Sequence, residues 1–118
     1  MDMLKDFNEA MQYIEEHLNQ EIDFNKVSQI AGVSEFHFRK MFSYLSGMTL
    51  VNYIRRRRLS QASLDLKQRD MKIIDVAVKY GYDSADGFTR AFREWFGINP
   101  SEVKNTNNLK IFPRCIFI

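Results

Sequence analysis

One residue pattern occurs twice in this chain, about 50 positions apart, and it constrains the fold more than any other feature. Each copy has a short apolar segment, a glycine, a serine, and then an aromatic and basic segment that ends at another glycine. The paired positions are Val27/Val76, Gly32/Gly81, Ser34/Ser84, Phe38/Phe88, Lys40/Arg90, Phe42/Phe92 and Gly47/Gly97. A glycine followed by a serine-capped helix with one apolar and one basic side is typical of a helix-turn-helix motif. The repeat therefore predicts two such motifs, with which a monomer could reach two stretches of DNA major groove.

Length and composition favour one domain, or two very small domains that share a helix. Of 118 residues, 45% are hydrophobic and ten are Phe, while five Gly and two Pro leave most of the chain free to be helical. The single cysteine, Cys115, cannot form an internal disulfide. The chain shows no apolar run of about 18 residues and no signal-peptide pattern. We therefore expect a cytoplasmic protein that does not enter a membrane.

The net charge of +2 hides a strong asymmetry along the chain. Residues 1–33 contain two Lys/Arg and seven Asp/Glu, which gives −5, whereas residues 34–67 contain seven and two, which gives +5. Residues 68–118 contain eight and six, which gives +2. The basic charge thus begins where the helix of the first motif begins. This distribution suits a polyanion such as double-stranded DNA, although a charged segment can also be an ordinary solvated surface.

Apolar spacing predicts an all-α fold with seven helices, in which a long central helix joins two three-helix units and an extended tail follows. The predicted helical segments are about 4–18, 23–32, 34–47, 49–67, 72–80, 84–97 and a short helix after Asn99. The helix-turn-helix motifs would cover about 25–46 and 73–96. The first helix carries an acidic outer side with Glu9, Glu15 and Glu16, which is a conceivable contact site for RNA polymerase.

The first motif offers four candidate DNA-contacting residues. If Phe38, Met41, Phe42 and Leu45 face inward, the residues that project outward from the start of the helix are Glu35, Phe36, Arg39 and Lys40. Arg39 could bond guanine O6 and N7, Lys40 could do the same or hold a phosphate, and Phe36 could pack on a thymine methyl group. The alternatives are a surface or core aromatic for Phe36 and ordinary solvated charge for Arg39 and Lys40.

The second motif offers a weaker set. With Phe88, Ala91, Phe92, Trp95 and Phe96 inward, the outward residues are Ala85, Asp86, Thr89, Arg90 and Arg93. Arg90 is the strongest candidate for a base contact, whereas Asp86 would be repelled by phosphates and can accept only from an amino group such as cytosine N4. Gly87 inside the helix costs about 1 kcal/mol relative to Ala and suggests a close approach of the backbone.

The run Arg55 to Arg58 is the most basic segment but not the most specific. Four consecutive helical residues span about 400° of arc, so they cannot share one face, and only one or two could touch phosphates. The sequence gives little indication of catalysis or metal binding. His17 and His37 lack a metal-ligand spacing, and no nucleophile signature or phosphate-binding loop is found. We expect no enzyme activity, no cofactor and no metal.

Residues of both motifs and of the central helix resemble the DNA-binding domain of the AraC/XylS family of bacterial transcriptional regulators. The resemblance covers roughly residues 5–104, and its matching segments are Ser34 to Gly47, Tyr53 to Ala62 and Ile74 to Glu102, with Tyr80 to Ser84 the most specific. It implies an activating regulator with a DNA-binding domain at 1–104, whose motifs occupy successive major-groove segments on one face of DNA. By resemblance, base-reading positions are Phe36, Arg39, Lys40, Ala85, Asp86 and Arg90. Ala85 and Asp86 depart from the longer polar side chains usual there.

The last segment does not fit the helical pattern. After the polar residues 105–108, residues 109–118 are typical of one extended strand, which would lack a partner in an all-helical domain. We therefore expect 105–118 to be a linker and the opening strand of a truncated second domain; the alternative is a tail folded back onto the helices. The resemblance implies that the missing domain is gyrase-inhibitor-like and binds a small-molecule effector. A different hypothesis for the whole chain is a helical protein–protein interaction module.

Overall fold

The computed structural model describes residues 3–106 and 111–114. Within these residues the chain forms six α-helices and one 3-10 helix, which confirms the predicted all-α class and its seven helices. They are α1 (Met3–Glu16), α2 (Phe24–Ala31), α3 (Glu35–Ser46), α4 (Leu50–Gln68), α5 (Ile73–Lys79), α6 (Ala85–Phe96) and the 3-10 helix (Pro100–Asn105). None of the helices in the described part of the chain combines the length and apolar character needed to span a membrane.

The described residues divide into two compact units. The first unit contains residues 3–55 together with Arg114, and the second contains residues 56–106 and 111–113. The boundary falls inside α4, so that this helix contributes its first residues to the first unit and the rest to the second. Each unit thus contains one complete helix-turn-helix motif: α2 and α3 form the first motif, and α5 and α6 form the second.

The core of the first unit forms around aromatic residues of α1 and α3. The rings of Phe7 and Phe38 stack with their centres 4.7 Å apart, and Phe42 lies 5.1 Å from Tyr53 of α4. The remaining buried apolar residues of this unit are Ala10, Met11, Ile14, Leu18, Ile22, Val27, Ala31, Leu50 and Ile54. Burial of these large side chains is the main stabilising contribution to a helical unit of this size.

The core of the second unit forms around the two phenylalanines that correspond to Phe38 and Phe42 in the repeat. Phe88 and Phe92 of α6 are fully buried, with their ring centres 5.6 Å apart. The other members of this cluster are Leu59, Ala62, Leu66, Val76, Ala77, Tyr80 and Val103. Ala91, Trp95 and Phe96, predicted to be inward, are partly buried and pack against it. In the central helix α4, the buried apolar residues are Leu50, Tyr53, Ile54, Leu59, Ala62 and Leu66.

One predicted core position is wrong: Leu45, in the last turn of α3, has 47% of its surface exposed. At about 100° per residue, Leu45 points in nearly the same direction as the buried Phe38. Its exposure therefore comes from its place along the helix axis, since α3 ends one residue later at Ser46. Met41 is only partly buried.

The predicted strand at 109–118 is wrong for the four of its residues that the structure describes. Residues 111–114 have no regular secondary structure. No strand occurs in 3–106 or 111–114 with which their backbone could pair. Instead, the Phe112 amide donates to Ser60 Oγ at 2.8 Å and Arg57 donates to the Phe112 carbonyl. Residues 109, 110 and 115–118 of the prediction, including Cys115, lie outside the described residues. The assignment of 105–118 to a second domain stays a prediction.

Candidate DNA-binding surface

The first recognition helix, α3, begins where the serine of the repeat caps it. Ser34 Oγ accepts from the His37 backbone amide at 3.1 Å, and Gly32 before it has a φ of 73°, a left-handed conformation that glycine adopts without strain. Phe38 and Phe42 then point into the core with no exposed surface. This register places the four predicted residues of the first motif outside the core.

Phe36 and Lys40 form the exposed edge of α3. Phe36 has 75% of its surface exposed, so it is not a core residue. The Nζ of Lys40 lies 5.9 Å from the centre of the Phe36 ring, within the range of a cation–π contact. An apolar ring next to a cation is an arrangement that can meet a thymine methyl group and a phosphate or guanine at neighbouring positions.

Arg39 is held more firmly than the sequence suggested. Its Nε donates to Glu35 Oε2 at 3.0 Å, and its guanidinium carbon lies 4.3 Å from the centre of the Phe24 ring of α2. The side chain remains 32% exposed. A surface pair of this kind contributes only about 0–1 kcal/mol, so DNA can compete with it. An end-on contact of Nη1 and Nη2 with guanine would leave the Nε–Glu35 bond in place, which makes Glu35 a residue that orients Arg39.

The second recognition helix, α6, has the same cap and core. Ser84 Oγ accepts from the Gly87 amide at 3.0 Å, and Phe88 and Phe92 are fully buried. A Cβ atom on Gly87 would lie 3.3 Å from Ser84 Oγ. The close approach predicted at Gly87 is therefore an approach to the capping hydroxyl group of its own helix.

The outer side of α6 presents one unrestrained cation. Arg90 is exposed and, within residues 3–106 and 111–114, has no hydrogen bond, ion pair or ring contact. Asp86 is also exposed, whereas Ala85 and Thr89 are partly buried. The second motif thus exposes one arginine and one carboxylate at the start of its helix, and that it is the weaker of the two stays a prediction.

Arg93, the last predicted member of the set, is turned toward the end of its helix. Its Nε donates to Asn99 Oδ1 at 2.8 Å, and Asn99 Nδ2 donates to Glu102 Oε1 at 3.2 Å. The side chain is exposed. These bonds link α6 to the 3-10 helix. Arg93 lies in the last turn of α6, whereas base contacts in such motifs come mainly from the start of the helix.

The four arginines of α4 have four different surroundings, as the helical arc predicted. Arg55 is exposed, while Arg57 has only 4% of its surface exposed. The Arg56 guanidinium lies over the rings of Trp95 and Phe112, at 4.7 and 5.4 Å. Burial lowers the pKa of the Arg58 guanidinium, and the neighbouring Tyr82 opposes this effect. Arg55 is therefore the member of the run best exposed for a phosphate contact.

A group that supports the second motif has no signal in the sequence. Asp65 of α4 is buried, and its Oδ2 accepts from both Lys79 Nζ and the Tyr80 hydroxyl group at 2.7 Å. Arg69 Nε lies 3.8 Å from Asp65 Oδ1. The group ties the end of α5 to α4. Sequence reasoning missed it because Lys79 and Tyr80 lie 14 and 15 residues from Asp65, a spacing that no local pattern reports.

No cluster of three or more His, Cys, Asp or Glu side chains that could hold a metal ion occurs in 3–106 or 111–114. His17 Nδ1 lies 2.7 Å from the Tyr13 carbonyl oxygen and its ring stacks on Tyr13, so this histidine has a local structural role.

Two helices that each follow a glycine, begin at a capping serine, bury a pair of phenylalanines and expose a cation on the outer side are typical of helix-turn-helix DNA-binding proteins. Comparison with known proteins narrows this class. The family model described as "Helix-turn-helix domain" matches residues 27–106. The HTH-type transcriptional activator AarP of Providencia stuartii is 34% identical over 94 residues, which cover 80% of this chain and 70% of AarP. The transcriptional regulator Rob of Salmonella typhimurium is 32% identical over 112 residues, covering 95% of this chain but 39% of Rob.

Solved structures show the same fold. An AraC-type transcriptional regulator from Chromobacterium violaceum has a TM-score of 0.77 at 23% identity, covering 86% of this chain and 90% of that one. The DNA-binding domain of AdpA, solved with a target DNA, has a TM-score of 0.72 at 24% identity, covering 84% and 89%. The chain belongs to the AraC-type family of helix-turn-helix domains, and it is a DNA-binding transcription regulator.

Proposed function

We propose that this chain binds DNA sequence-specifically by placing α3 and α6 in two separate segments of the major groove. The observation that supports this most directly is the shared register of the two helices. In α3, Phe38 and Phe42 are fully buried and Lys40, between them in sequence, is exposed. In α6, Phe88 and Phe92 are fully buried and Arg90 is exposed at the equivalent position. A repeated core with a repeated cationic exterior is what two groove-binding helices require.

The individual roles follow from the surroundings of each side chain. Arg39, oriented by Glu35 and Phe24, is suited to a bidentate contact with guanine, and Arg90 is the corresponding candidate of the second motif. Phe36 supplies apolar contact and Lys40 a phosphate or guanine contact. Asp86, Ala85 and Thr89 affect which bases α6 accepts but add little to its affinity for DNA. Arg55 adds a salt-dependent phosphate contact without sequence information.

We further propose that the regulator activates transcription in the bacterial cytoplasm and does so through contact with RNA polymerase. Support comes from AarP, a relative that is named a transcriptional activator. The structure offers a candidate surface on α1, where Glu9 and Glu16 are exposed. No catalytic role is part of this proposal.

Salt dependence separates DNA binding from the alternative of a protein–protein interaction module. The affinity for promoter-derived duplexes should fall linearly on a log–log plot against salt concentration, by about 0.9 for each phosphate neutralised. The control is Lys5→Ala, which removes an exposed cation of α1 and should leave the slope unchanged. Absence of duplex binding at low salt, across the whole set of duplexes, would contradict the proposal and favour the interaction module.

A further inference from the structure

A residue near the end of the described chain is bound by side chains that DNA reading does not use. The Phe112 amide donates to Ser60 Oγ at 2.8 Å, and Arg57 Nη1 donates to the Phe112 carbonyl oxygen. Ser60 has no exposed surface, and Arg57 has almost none. Both backbone groups of one residue are thus bound by side chains three positions apart on α4, which lie on the same face of that helix.

The Phe112 ring is held as specifically as its backbone. Its centre lies 5.9 Å from that of Trp95 of α6, in an edge-on arrangement with 72° between the planes. The Arg56 guanidinium lies over both rings. We call the four residues Arg56, Arg57, Ser60 and Trp95 the tail seat. A passing surface contact would not use a buried arginine and a buried hydroxyl group, because leaving such groups without acceptors or donors is costly.

We propose that the tail seat is an intramolecular docking site for Phe112, and that the segment docked through Phe112 fixes α6 on α4 for DNA binding. Trp95 and Arg90 belong to the same helix, so a ring that covers Trp95 and bonds α4 restrains the helix that presents Arg90. Release of the segment would uncover Trp95 and Arg56 and deprive Arg57 of one acceptor. The effect on DNA rests on the proposed function, whereas the docking itself does not.

Trp95 is the only tryptophan in the chain, so its fluorescence reports on the seat without a label. In the full chain, Phe112→Ala should shift the emission to longer wavelength and increase quenching by acrylamide, because the indole becomes more solvated. Phe112→Tyr keeps the ring and should behave like the unaltered chain. Ile111→Ala is the matched control, since Ile111 is the adjacent, exposed residue of the same segment. Unchanged emission and quenching in Phe112→Ala would overturn the docking proposal.

A double-mutant cycle on DNA tests the second half of the proposal. Phe112→Ala should weaken binding to the selected duplex about three- to tenfold, the size expected for loss of ring–ring and cation–ring contacts. Arg90→Ala should then cost less in the Phe112→Ala background than alone, whereas the cost of Arg39→Ala should not change. Full additivity of Phe112 with Arg90 would overturn the coupling to DNA. If the unaltered chain bound no DNA, the proposed function would fail, while the Trp95 measurement would still decide whether the segment docks.

Discussion

At the scale of single residues, the two recognition helices differ in how they hold their arginines. Arg39 of α3 is restrained by the hydrogen bond that its Nε donates to Glu35 and by the Phe24 ring, whereas Arg90 of α6 extends without a partner among the described residues. A restrained side chain loses less conformational entropy when it binds, which favours specificity at its base pair. In the proposed contact Arg90 would lose that entropy on binding, and the negative charge of Asp86 on the same helix would repel phosphates.

Replacement of Arg39 by alanine should cost about 1–3 kcal/mol on the cognate site and relax the preference at one base pair, because a bidentate contact with guanine is lost. The measurement is binding to the cognate duplex and to its single-base variants. Equal losses on cognate and random DNA would show that Arg39 contacts phosphate instead of a base.

Replacement of Asp86 by asparagine should improve binding to random duplexes, because it removes a negative charge from the outer side of α6. The gain should shrink as salt is added, since the repulsion is screened. Asp70→Asn is a suitable control, because Asp70 is an exposed carboxylate outside both recognition helices. An affinity for random DNA that does not change in Asp86→Asn would mean that Asp86 faces away from the duplex.

At the scale of elements, the second motif depends on the link that Asp65 makes between α4 and α5. Burial raises the pKa of the Tyr80 hydroxyl group, and the hydrogen bond it donates to Asp65 and the charge of Asp65 raise it further. A group whose pKa is higher in the folded state stabilises the fold below its unfolded pKa, about 10 for tyrosine. That contribution is lost as the pH rises further.

The free energy of unfolding should therefore decline above pH about 10, the ordinary pKa of tyrosine, by at most about 1.4 kcal/mol per pH unit for one proton. Tyr80→Phe should remove this component of the slope, although it also loses the hydrogen bond to Asp65 and is less stable at neutral pH. Denaturant unfolding at a series of pH values measures both effects. Equal slopes for the unaltered chain and Tyr80→Phe would contradict this account of Asp65 and Tyr80.

The sequence predicted the elements better than the contacts between them. The caps at Ser34 and Ser84 and the glycine turns are local signals, and both caps form as expected. Leu45 was misplaced because helical periodicity gives the direction of a side chain but not the extent of the core along the axis. The bonds of Asp65 to Lys79 and Tyr80 and the contacts of Phe112 with the tail seat join residues 14 or more positions apart, and no local pattern reports such pairs.

At the scale of the whole molecule, function rests on a duplicated motif with an uneven distribution of charge. The acidic first 33 residues precede a strongly basic stretch that contains α3 and most of α4, and the second motif adds Arg90. In the proposed binding mode the duplication would let a single chain contact two segments of DNA, and the difference between Arg39 and Arg90 predicts that the two segments are read with unequal strictness.

The most direct test of two-segment reading is to select bound duplexes from a randomised pool with three proteins: the unaltered chain, Arg39→Ala and Arg90→Ala. The account predicts two separate runs of specified bases, one lost or relaxed in Arg39→Ala and the other in Arg90→Ala. The Arg39 run should be the more strictly specified. A single run of specified bases, or the same positions relaxed by both substitutions, would contradict the two-helix account.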